Sequence, residues 1–94
     1  MAETDPAGMR YAAIDIGSNT FRLLIAEPSL NNDGTPWQTI CYTHRIIRLG
    51  EGLHHSGKLS EAGMIRALQA LREFASLLQQ FNVCFKSFEI IFLL

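Results

Sequence analysis

The residues best suited to chemistry in this chain lie near its start, in the run Ala13-Ile14-Asp15-Ile16-Gly17-Ser18-Asn19-Thr20. Asp15 interrupts a row of strand formers, and an ionisable group among apolar neighbours costs free energy unless a partner stabilises it. A hydrated magnesium ion is one such partner. Just beyond, Gly17 lets an anion approach the backbone closely, while Ser18, Asn19 and Thr20 supply amide hydrogens and hydroxyls able to surround phosphate oxygens. The same four residues also suit a plain hairpin turn, since short glycine-containing motifs recur without function. The acid next door favours the anion site.

The elements that must position these residues follow from periodicity. Tyr11 to Ile16 reads as a strand, Gly17 to Thr20 as a turn, and Phe21 to Glu27 as a second strand. Phe21, Leu23 and Ile25 share one face and Leu24 and Ala26 the other, which predicts a strand covered on both sides. Pro28 to Trp37 is loop chemistry with a tight turn expected at Asp33-Gly34. A third strand is predicted from Gln38 to Leu49.

Gly50, Gly52 and Gly57 then break the chain, placing His54 and His55 in a loop. Ser60 caps a helix, with Glu61 at its positive end. Apolar positions at Met64, Ala67, Leu68, Leu71, Phe74, Ala75 and Leu78 predict one inward stripe, with Arg66, Gln69, Arg72, Glu73, Ser76, Gln79 and Gln80 facing water. Val83 to Leu94 is a last apolar strand. It is too short for a bilayer, which needs about 20 apolar residues. The predicted order is βββαβ, an α/β fold.

Composition excludes several classes. Of 94 residues, 48% are hydrophobic and 18% charged, with a net charge of −1, so a globular interior is expected and no basic excess points to nucleic acid. Residues 1–10 lack the pattern of a secretion signal and read as a flexible leader. Cys41 and Cys84 are far apart and form no metal-ligand spacing, which fits two structural thiols in a reducing cytoplasm. A domain this short buries a modest share of its surface and is expected to be part of something larger.

The run from Ala13 to Ile25 resembles the first phosphate motif of the exopolyphosphatase/guanosine pentaphosphate phosphohydrolase (Ppx/GppA) phosphatases, with Gly17-Ser18-Asn19-Thr20 as its specific part. The resemblance continues through Arg48-Leu49-Gly50-Glu51-Gly52-Leu53, Gly57-Lys58-Leu59-Ser60 and the helix from Ile65 to Phe74. It implies the ribonuclease H-like fold of the actin, sugar kinase and Hsp70 superfamily, here an incomplete half-domain over residues 11–94. Relatives with sugar kinase or chaperone activity more often carry Gly-Thr-Thr or Gly-Gly-Thr at this turn.

Residue by residue, the resemblance implies that Asp15 helps hold magnesium through water and that Gly17, Ser18, Asn19 and Thr20 line the phosphate path. Arg48 would point toward the polyphosphate channel, where a fixed cation offsets phosphate charge; its alternative is a solvated strand-end arginine. Arg22 and Arg45 read equally well as cleft residues or as solvent-facing ones, and Glu51, in a glycine-rich turn, reads as a solvated turn acid with contact to metal or substrate as its alternative. The implied reaction is release of terminal phosphate from polyphosphate or guanosine pentaphosphate by a cytoplasmic, membrane-free hydrolase, homodimeric at full length. The general-base glutamate and the second glycine-rich loop of the family are not found in these residues. No catalytic residue is therefore expected here, and the segment alone is expected to be inactive, with residues 83–94 a divergent strand or a non-native tail. A non-catalytic module binding phosphate polymers or a partner is the alternative.

Overall fold

Apolar residues at every second position give the first two strands one dry face. In a computed structural model, which describes residues 9–29, 34–83 and 88–93, β1 (Tyr11–Gly17) and β2 (Thr20–Pro28) form an antiparallel hairpin with Asp15 opposite Arg22 and Ile16 opposite Phe21. Only Ser18 and Asn19 connect them. β3 (Trp37–Ile46) adds antiparallel to β2, with a shift of register between Ile25 and Ala26. A one-turn helix α1 (Leu53–Ser56) and a long helix α2 (Glu61–Gln80) follow. β4 (Phe88–Leu93) then pairs parallel to β1, giving the sheet order β3-β2-β1-β4.

The core lies between one sheet face and α2. Ala12, Ile14, Ile16, Phe21, Leu23 and Ile25 meet Ile47, Ala70 and Phe74, all of them buried. Arg10 ties the start of the sheet to the far end of α2. Its Nε donates to Glu27 Oε1 at 3.1 Å and its Nη1 to the carbonyl of Phe81 at 3.0 Å. Arg10, assigned to the leader by sequence, is thus anchored, while residues 1–8 lie outside the described residues.

The start of α2 is set by Ser60, whose Oγ accepts from the backbone N–H of Gly63 at 2.9 Å. That bond satisfies a donor with no partner within the helix. Ser60→Ala is expected to lower stability by about 1 kcal/mol, read as an earlier denaturant midpoint with an unchanged slope; Ser60→Gly should lose only a few tenths.

The predicted βββαβ order is present, with four differences in detail. The third strand ends at Ile46 rather than Leu49, because the chain turns away at Arg48, a non-glycine residue with φ of 55°. His54 and His55 belong to α1 instead of a loop, between Gly52 and Gly57, which both adopt positive φ. The inward stripe of α2 is rotated from its predicted position: Gly63, Ala70 and Phe74 are buried, whereas Met64 and Leu68 are 45% and 55% exposed. Small residues win the inner face because they bring the helix close. Finally, among the described residues α2 covers only the Leu23 and Ile25 face of β2, and Leu24 stays exposed with Tyr42 and Ile46. The tight turn expected at Asp33-Gly34 falls partly outside the described residues.

Candidate functional site

The hairpin connection and the segment after β3 are bolted together by their backbones. The carbonyl of Asn19 accepts from the N–H groups of Ile47 and Arg48 at 2.7 and 2.9 Å, and the carbonyl of Ser18 accepts from Gly50 N–H at 3.0 Å. These bonds place two separate stretches of sequence side by side. The result is an open cleft of about 310 Å³ lined by Ser18, Asn19, Arg48, Gly50 and Glu51. Of the predicted site residues, Ser18, Asn19 and Arg48 are therefore brought together. Gly17 and Thr20 flank the cleft as the last residue of β1 and the first of β2, and Thr20 Oγ1 accepts from Asn19 Nδ2 at 3.3 Å.

Asp15 lies back along β1 and is not part of the cleft wall. Strand alternation turns it away from Ile14 and Ile16, toward Arg22 of β2. The closest approach, Arg22 Nη1 to Asp15 Oδ2, is 3.7 Å, and the carboxylate side chain is 28% exposed. Its other oxygen, Oδ1, is buried without a hydrogen-bond partner. A loose ion pair thus satisfies half of the carboxylate, and the remaining oxygen is free to take a hydrogen bond from metal-bound water. The residues fit a hydrated cation on that count. Among the described residues no group of three or more His, Cys, Asp or Glu side chains comes together.

Arg48 is exposed and its backbone is left-handed, which costs on the order of 1 kcal/mol for a non-glycine residue. Three bonds hold it there: its own N–H to Asn19, its carbonyl to Glu51 N–H at 3.1 Å, and Arg66 from α2. Arg45, by contrast, is engaged with Glu73 at 2.7 Å and Arg22 with Asp15.

Two features escaped the sequence reading. Gly50 helps to form the cleft beside Glu51, whose contact with metal or substrate was one of its two readings, and Arg66, assigned to the water-facing side of α2, reaches back to the same segment. The run of small residues at Gly63, Ala67 and Ala70 around Arg66 was the available signal.

The sequence pattern described as the Ppx/GppA phosphatase family matches residues 29–91. The chain belongs to this family. Solved structures agree over more of its length. The Aquifex aeolicus member of the Ppx/GppA family is 33% identical with a TM-score of 0.73, over 89% of this chain and 25% of that one. An exopolyphosphatase from Cytophaga hutchinsonii is 30% identical with a TM-score of 0.70, over 89% of this chain and 24% of that one. The chain spans about a quarter of the length of the Ppx/GppA structures it matches. The matched part has the βββα arrangement described above, a partial domain of the actin-like architecture. Among the described residues no helix is long and apolar enough to cross a membrane.

Proposed function

We propose that this segment supplies the first phosphate-binding loop of a hydrolase that releases terminal phosphate from inorganic polyphosphate or guanosine pentaphosphate. The observation that carries the reading is the cleft in which Ser18, Asn19 and Arg48 converge from two segments, in a chain of a phosphatase family. Ser18 and Asn19 present hydroxyl, carboxamide and backbone donors to phosphate oxygens. Arg48 adds a fixed positive charge beside them, and a charge-assisted bond of this kind is stronger than a neutral one. Asp15 is the residue suited to holding a hydrated magnesium ion through its unpartnered oxygen; bound magnesium would neutralise charge on the transferring phosphoryl group.

Binding and orientation are thus the work of these residues. The activation of water is assigned to parts of the full-length protein beyond them, and the segment alone is expected to release little or no phosphate. The reading implies a cytoplasmic enzyme, with a homodimer as the expected full-length assembly.

The test uses a protein of the full length of the relatives. Phosphate release from long-chain polyphosphate with magnesium is measured beside guanosine pentaphosphate, for the wild type and for Arg48→Met. Loss of a charge-assisted bond worth about 1.5–3 kcal/mol raises KM on the order of tenfold or more. An unchanged KM would make Arg48 a solvated residue. Retention of polyphosphate without any release would replace the hydrolase with a non-catalytic binding module.

A further inference from the structure

The guanidinium of Arg66 makes contacts that its place on an amphipathic helix does not require. Its Nε donates to the carbonyl of Ile47 at 2.7 Å, and its Nη2 reaches the carbonyl of Arg48 at 3.4 Å and Glu51 Oε1 at 3.3 Å. The three acceptors all belong to the segment that walls the cleft. Arg48 holds a backbone conformation that needs support, and Glu51 places a negative charge where a phosphate chain is to sit. The first turn of α2 lies close enough that a methyl group on Gly63 would stand 3.7 and 3.8 Å from the carbonyl oxygens of Leu49 and Arg48.

We propose that Arg66 is a positioning residue for the phosphate cleft, which fixes the backbone under Arg48 and neutralises Glu51 so that a polyanion can approach. The inference rests on the reading of the cleft as a phosphate site. Arg66 is not among the residues that line the cleft. It acts on the backbone carbonyls of Ile47 and Arg48 and on the carboxylate of Glu51, and the backbone and carboxylate actions separate in experiment. Two nitrogens of one planar fork make these contacts, Nε to Ile47 and Nη2 to Arg48 and Glu51, and lysine offers only a point charge.

The full-length protein is assayed on tripolyphosphate and on long-chain polyphosphate with magnesium. Arg66→Met is expected to raise KM about twofold to fivefold with a smaller change in kcat, because the pair is partly exposed and the effect is on binding. Glu51→Gln in the Arg66→Met background should recover part of that loss, since the repelling charge is gone. Arg66→Lys should fall between wild type and Arg66→Met, and added guanidinium at millimolar concentration should lower the KM of Arg66→Ala. Those two also decide the matter if Arg66→Met folds poorly.

A folded Arg66→Met protein with wild-type KM overturns the inference while leaving the phosphate site intact. So does a raised KM that neither Glu51→Gln nor guanidinium relieves, because a merely structural arginine would behave that way. If the wild type neither binds nor cleaves either substrate, the phosphate reading fails, and this inference fails with it.

Discussion

Asp15→Asn in the full-length protein is expected to lower magnesium-dependent phosphate release by about 100-fold or more, with its melting temperature nearly unchanged. The two parts of this expectation come from different facts. Asparagine keeps the size of the side chain but removes the charge that orders water around a hard cation. The structural partner, Arg22, is 3.7 Å away and about half exposed, and pairs of that kind contribute only about 0.2–1 kcal/mol. A loss of stability therefore cannot masquerade as a loss of turnover. Arg22→Met serves as the control: it removes the ion pair but leaves the carboxylate. If Arg22→Met and Asp15→Asn reduce turnover per folded molecule equally, the aspartate serves the pair and not a metal. If Asp15→Asn keeps both wild-type turnover and the same magnesium requirement, the metal assignment is wrong.

Phe74→Ala is expected to cost about 3–5 kcal/mol, the usual range for a phenylalanine removed from a tight core. Phe74 is wholly buried on α2 against the sheet residues Leu23 and Ile25. Against a typical total of about 5–15 kcal/mol, the loss is a large share of the stability. Met64→Ala is the matched comparison, since the sequence places Met64 and Phe74 in one stripe while the structure separates them. Its methionine is nearly half exposed, so its loss should stay near 0.5 kcal/mol. Urea midpoints for the two variants measure the rotation of the helix directly. Equal losses would mean that Met64 is covered in the full-length protein.

The fold was legible to the degree that periodicity encodes it. Strands β1 and β2 announce themselves through Ile14, Ile16, Phe21, Leu23 and Ile25 at alternate positions, and Ser60 marks the start of α2 as a hydroxyl three residues before the N–H it accepts from. The facing of α2 was not legible, because the large apolar residues Met64 and Leu68 outweigh Ala70 and Gly63 in any hydrophobic pattern. Close packing favours the small ones, and that is a property of two elements together. The one-turn helix at Leu53–Ser56 was hidden for a similar reason, since flanking glycines signal a loop as readily as they do a helix between two left-handed caps.

The candidate site divides in the same way. Ser18 and Asn19 are conspicuous from their type and neighbours, and Arg48 was drawn in by resemblance. What no local pattern states is that the carbonyls of Ser18 and Asn19 dock residues 47–50, so Gly50 joined the cleft unannounced, and Glu51 joined it where a solvated turn acid was the first reading. Arg66 was misread because a charged residue on a helix is normally solvated. Its role depends on where β3 ends.

The order of strands also has a bearing on how the chain assembles during synthesis. β1, β2 and β3 are neighbours in sequence as well as in the sheet, so they can pair as soon as Ile46 has left the ribosome. The parallel partner of β1 arrives last, after the whole of α2. At about 5–20 residues per second, the edge of Tyr11–Gly17 stays open for several seconds while the intervening residues are made. An open edge of apolar strand is a template for pairing with another chain. Nascent copies on neighbouring ribosomes are therefore most exposed to one another in that interval, and a chaperone that occupies the β1 edge would act before β4 appears.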